Sequence, residues 1–155
     1  MPIKQITPMQ TVRDWLQEQL DIRLKALTNV LSYIGLECVI HARLLPSPPV
    51  EMRGNPHTPN YIDDTVNLRG SIGFIILLDG RTIDENFEGK GAEYGKTFAR
   101  KIANEFPTGV ALVVVAGMNY SAFVSKKGYD VLDSAEELAT RLIPQRLEKL
   151  GFILK

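Results

Sequence analysis

The sequence predicts one α+β domain: a long N-terminal helix, a small mixed or antiparallel sheet of three to four strands, and further helices packed on one face. Three observations carry this expectation. Apolar residues recur at helical spacing from Leu16 to Cys38. An apolar run, Ser71–Leu78, stops at the hairpin dipeptide Asp79-Gly80. A second run, Val110–Ala116, is apolar throughout and rich in β-branched valine.

Taken in order, Thr7-Pro8 predicts a helix start, with Thr7 as cap, Pro8 at the first helical position and Gln10 completing a capping box. Leu16, Leu20, Leu24, Leu27, Leu31, Ile34 and Cys38 then follow at steps of three and four, one stripe of a helix. The pattern reads as one helix, or two joined near Gly35, ending before Pro46. Residues 46–63 hold five of the nine prolines, a density that excludes regular helix and central strand. A connection of that length is functional or disordered more often than structural.

Ser71–Leu78 reads as a buried strand, and Arg81–Phe87 as its more exposed hairpin partner. Tyr94, Phe98, Ile102 and Phe106, spaced by four, predict a helix that packs through this stripe and stops before Pro107. Val110–Ala116 is expected to be a central strand, reached by a parallel crossover. Tyr120–Val124 fits a strand or a short helix equally. Ser134 and Glu137 form a second capping box, opening a helix that Pro144 kinks or restarts and Gly151 ends.

The composition bounds the function. A chain of 155 residues can form a real core, burying roughly 70% of its unfolded surface. Lys+Arg and Asp+Glu are equal at 18, so no basic excess marks a nucleic-acid or acidic-membrane binder, and no net repulsion opposes self-association. The lone cysteine, Cys38, forms no intramolecular disulfide and fits a reducing compartment. The longest apolar stretch, Gly109–Met118, falls short of the ~20 residues that span a bilayer. A soluble cytoplasmic protein is expected.

No catalytic constellation emerges. Gly89-Lys90-Gly91-Ala92-Glu93-Tyr94-Gly95-Lys96-Thr97 resembles a phosphate-binding loop, but Lys90 stands where the first glycine is required, and the preceding Asp84–Glu88 is acidic. A small nucleotide-binding enzyme using Gly91–Thr97 is therefore the alternative reading. Cys38 and His41 share a helix face, yet a zinc site needs at least three ligands and the only other histidine, His57, lies in the proline-rich segment. No nucleophile elbow is present. Neither a cofactor nor a metal is expected.

One stretch, Asp64-Thr65-Val66-Asn67-Leu68-Arg69-Gly70-Ser71-Ile72, resembles the D-T-G-N-L-R-x-S-I segment of the tailed-phage tail-component family, the head–tail connector or tail-completion proteins. Asp64, Thr65, Asn67, Leu68, Arg69, Ser71 and Ile72 match it, and Val66 replaces the usual glycine. Ala116–Val124, including Tyr120, resembles the family's tyrosine-alanine segment, though Ser125 stands where a glutamate is common. Gly128–Leu132 and the helix after it resemble prophage-encoded versions. The likeness spans about residues 20–152.

The resemblance implies a structural, non-enzymatic morphogenesis protein. It would be found in the host cytoplasm during assembly and then at the virion head–tail junction or tail. Its implied partners are further copies of itself, in a ring-forming homo-oligomer with a hexamer as the candidate order, and other phage neck or tail proteins. Neither a membrane nor a specific nucleic-acid sequence is an implied partner. A ring requires two different surfaces on each subunit. The proline-rich segment and the helix starting at Pro8 are the sequence's candidates. Within the motif, Asp64 and Asn67 are expected to close an Asx-type turn with help from Thr65, and Arg69 to pair with Asp63, Asp64 or a neighbour's acid.

Overall fold

The computed structural model describes residues 6–45, 62–63 and 65–152. The proline-rich segment lies almost wholly outside them, as does Asp64. Helix α1 (Met9–Arg43) is followed by a single helical turn, α2 (Asn67–Gly70), then strands β1 (Ile72–Leu78) and β2 (Arg81–Asn86). Helix α3 (Ala92–Ala103), strand β3 (Val110–Ala116), helix α4 (Ser121–Lys126) and helix α5 (Asp133–Lys149) complete the chain. The fold is α+β, with a three-stranded antiparallel sheet ordered β2-β1-β3.

The strand order corrects two expectations. β1 is the central strand and β3 an edge strand, paired only with β1 among the described residues. β2 and β3 do run in the same direction through the α3 crossover, but β1 lies between them, so every hydrogen-bonded pair is antiparallel. The continuous burial of Phe74 to Leu77 follows from this position, since the middle strand has both faces covered. The β1–β2 turn is built by Asp79 (φ 48°) and Gly80 (φ 76°), the two positive-φ positions that a type I′ hairpin demands.

Helices cover both faces of the sheet, where one face was expected. α1 and α5 pack on one side, joining Leu31, Ile34 and Cys38 to Ile72, Phe74, Ile76, Val131 and Ala135. α3 packs on the other, setting Ala99 and Ala103 against Ile75, Leu77, Val113 and Val115. The buried side of α3 is thus the small-residue row Gly95, Ala99, Ala103, while Tyr94 and Phe98 are exposed. Small side chains let the helix backbone come close to the sheet, and that outweighs the aromatic stripe at the same spacing.

α1 is one uninterrupted helix of 35 residues. Gly35 does not break it. Its missing side chain makes room for Phe74, whose ring would sit 2.7 Å from a Cβ there. The start falls one residue later than predicted: Pro8 occupies the cap position with no side-chain cap bond, and Gln10 donates to Asp14 at 2.8 Å. In α5, Asp130 accepts the Ser134 N–H at 3.2 Å, replacing the predicted capping box, and the helix runs continuously through Pro144. Tyr120–Val124 resolves as the start of α4 rather than a strand.

Candidate functional site

The turn before β1 is held from several sides. Asp63 caps α2: its Oδ2 accepts the Arg69 N–H at 2.8 Å, and its Oδ1 lies 3.4 Å from the Leu68 nitrogen. The capping carboxylate among the described residues is Asp63; the turn expected of Asp64 with Asn67 rests on a residue that lies outside them. Asn67 instead offers its carbonyl to the Ser71 N–H at 2.9 Å. Thr65 is exposed. Leu68 and Ile72 are buried in the α1 side of the core. Ser71 is fully buried and satisfied: its hydroxyl donates to the Leu68 carbonyl at 2.7 Å and accepts the Gly117 N–H at 3.1 Å. Tyr120 lies away from this turn in the chain, half-exposed at the start of α4.

Two arginines join the turn to the end of α1. The Arg69 guanidinium donates to the Leu45 carbonyl at 2.6 Å. Arg43, from the last turn of α1, donates to the Ile72 carbonyl at 2.6 Å and the Glu88 carbonyl at 2.9 Å. Burial pulls the Arg43 guanidinium below its ordinary value. Arg43 was missed in the sequence, where its only signal was a basic residue in a helix's final turn.

The backbone is unusually crowded here. A Cβ on Gly70 would stand 1.8 Å from the Lys90 carbonyl oxygen, and one on Gly91 2.6 Å from that of Asn67. A Cβ on Gly95 would meet the Ser71 oxygen at 2.3 Å. The glycines of the phosphate-loop-like segment thus pack against the turn and leave no cradle between them. The lysine of that segment, Lys96, lies 3.5 Å from the Glu85 carboxylate. Val66, where the resembled motif has glycine, adopts φ 58°. That left-handed conformation is an outlier for a β-branched residue.

Cys38 and His41 do not share a ligand geometry. Cys38 is buried, with Sγ 3.5 Å from the Ala135 carbonyl, and burial followed by the nearby Glu37 pushes its thiol up. His41 is exposed and hydrogen-bonds the Ser134 hydroxyl at 2.9 Å. Among the described residues, no group of three potential ligands could hold a metal ion. Nor is any helix among them long and apolar enough to cross a membrane.

The surface carries apolar residues in two unlike places. The first half of α1, Met9–Arg23, is exposed apart from half-buried Gln19, although it contains Val12, Trp15, Leu16, Leu20 and Ile22. That is about 22 Å of helix. The second place surrounds the open edge of β3. Phe98 and Ile102 of α3 join Val114, Ala122 of α4 and Val131 around a shallow groove. Exposed Tyr94 of α3 and Phe123 of α4 add to the apolar surface of these elements. Comparison with family models, curated proteins and solved structures yields no match to this chain.

Proposed function

We propose that this chain is a structural subunit of a phage or prophage head–tail junction or tail-completion ring. It would act by self-assembly and by contact with neck and tail proteins, without catalysis. The observation that carries the reading is the pair of dissimilar apolar surfaces: the Leu16–Leu20 side of the bare first half of α1, which continues the core stripe, and the groove along the open β3 edge. A closed ring needs two different patches per subunit, one seated on the other around the circle. Patches of this kind are uncommon on a protein that works alone. Charge balance removes the net repulsion that would oppose the contact.

The motif resemblance adds support. The family's glycine falls at Val66, and Val66 holds the positive φ that a glycine adopts freely. The matching residues Leu68, Arg69, Ser71 and Ile72 are occupied in seating β1 and the end of α1, so their part in assembly is indirect. The nucleotide-binding alternative lacks comparable support, because backbone fills the space beside Gly91 and Gly95, and Lys96 is paired with Glu85.

Native mass spectrometry tests the reading, on the chain alone and mixed with portal or tail-tube proteins. The expected result is a closed ring of one defined order, with six copies as the first candidate, alone or on a partner. A chain that stays monomeric in every mixture overturns it.

A further inference from the structure

α1 carries a second apolar pattern, on the face turned away from the sheet. Val12, Trp15, Gln19, Ile22, Ala26, Asn29, Tyr33, Leu36 and Ile40 alternate steps of three and four throughout, the a/d positions of a heptad repeat. The buried residues of α1 are Leu31, Ile34, Gly35, Cys38, Val39 and Ala42, and none belongs to this set. Its large apolar members are exposed, Trp15 by 58%, Ile22 by 56% and Tyr33 by 66%. The seam runs about 42 Å, some four heptads. The core accounts for the inner stripe, and among the described residues nothing covers the outer one.

We propose that α1 pairs through this outer seam with α1 of a second copy, as a parallel, in-register, two-stranded coiled coil. Three features select that partner. A strict seven-residue repeat drifts about 20° per heptad around a straight helix, so it stays in contact only with another helix that supercoils with it. Parallel alignment in register sets Gln19 against the second copy's Gln19, and Asn29 against its Asn29. Every polar seam residue then meets a group able to hydrogen-bond it. Antiparallel pairing in one register would set Gln19 against Leu36 and Asn29 against Ala26, leaving both amides on apolar neighbours. One heptad away Gln19 would meet Asn29, but Arg23 would then face Arg23 and Lys25 face Lys25, like charge on like. Flanking charges agree as well. Glu18 and Arg23 occupy the g and following e positions, which meet across a parallel pair, so each Glu18 faces the other copy's Arg23. At the far end, Glu37 is already held by Arg146 of its own chain at 2.6 Å.

The pairing also accounts for the first half of α1 being helical. A free segment of that length is marginal in water, and within the chain it has little beyond side-chain bonds such as Gln10–Asp14 and Gln17–Asp21. The contact is two-fold, the same surface on both copies, whereas the ring contact joins unlike surfaces. It does not depend on the ring reading.

Size-exclusion chromatography with light scattering tests it, on the wild type, the double variant Ile22→Glu/Leu36→Glu and the single variant Leu36→Cys. The wild type is expected as an even multiple of the chain at about 0.1 mM, well above the dissociation constant of a micromolar dimer. The double variant is expected to halve that mass, with amide-exchange protection of β1 unchanged as evidence that the fold persists. Mild oxidation of Leu36→Cys is expected to give a covalent dimer, because the two Leu36 positions face each other only in the parallel register. The wild type, whose Cys38 is buried, supplies the background. A monomeric or odd-numbered wild type, a mass unchanged in the double variant, or a failure of Leu36→Cys to cross-link overturns the proposal. The cross-link reads the seam whether or not a ring forms, so failure of one reading is distinguishable from failure of the other.

Discussion

The two halves of α1 share one stripe and one spacing but have opposite surroundings. From Leu31 onward the stripe is buried against β1 and α5, whereas Leu16 and Leu20 lie in solvent. Helical periodicity records which face is apolar and says nothing of whether the protein itself covers that face. A bare continuation of a core stripe marks the place where intrachain packing ends and where we propose that contact between chains begins.

The sharpest way to break this comparison is to delete the same kind of side chain on each half. Ile34→Ala removes a fully buried residue between α1 and β1 and is expected to destabilise the fold by about 2–5 kcal/mol. Leu20→Ala, about half-exposed, is expected to stay within about 0.5 kcal/mol in unfolding of the isolated chain. Urea titration at low protein concentration measures both. If Leu20→Ala costs as much as Ile34→Ala, the first half packs within its own chain and the division of α1 fails.

A second break concerns the crowded turn. Gly70→Ala places a methyl group 1.8 Å from the Lys90 carbonyl, where only backbone can give way. A loss of about 3 kcal/mol is expected, against about 1–2 kcal/mol for Gly109→Ser, where a Cβ would meet nothing within 4 Å and only the strain of a positive φ of 77° is felt. Thermal unfolding of the two variants side by side ranks crowding against backbone strain. An equal or smaller loss at Gly70 would mean that the turn is looser than its packing suggests.

Much of this fold was legible in the sequence, and its failures have physical causes. The hairpin, the two sheet runs and the long helix follow from local chemistry: positive-φ residues at Asp79-Gly80, valine-rich apolar runs, and a regular stripe. What local patterns do not encode is which strand lies in the middle. Val110–Ala116 has the composition of a central strand but sits at the edge, because the hairpin already places β1 beside β2 and α3 carries the chain across to β1's other side. The aromatic spacing in α3 misled for a different reason, since close approach there depends on Gly95, Ala99 and Ala103. At the candidate site, Leu68, Ser71 and Ile72 were legible as a unit. The capping role of Asp63 and the clamp by Arg43 were not, since both depend on where distant segments meet.

Val66 offers a smaller test, in the stabilising direction. A β-branched residue in the left-handed region costs roughly 1–2 kcal/mol, while glycine forfeits about 0.5–1 kcal/mol in chain entropy. Val66 is 58% exposed, so little packing is lost on its removal. Val66→Gly is therefore expected to raise stability by up to about 1 kcal/mol, seen as a higher unfolding midpoint. A drop would mean that the valine side chain contributes contacts worth more than its backbone strain.

The smallest expected effect comes from Cys38, on the covered half of α1. Burial is the main reason its thiol titrates above the ordinary value, with Glu37 acting in the same direction and Arg146 opposing it. The folded state therefore holds the proton more tightly than the unfolded chain does. The stability this contributes is complete below the unfolded thiol's value, near 8.5, and is lost as pH rises through the higher folded value. Cys38→Ala should lower stability at neutral pH by leaving a small cavity, and should flatten the decline in stability above that pH relative to wild type. The difference between the two pH profiles isolates Cys38 from the lysines and tyrosines that also titrate in alkali. A parallel pair of profiles would show that the thiol is not shielded in solution, and the second half of α1 would then be less firmly seated than the first-half comparison requires.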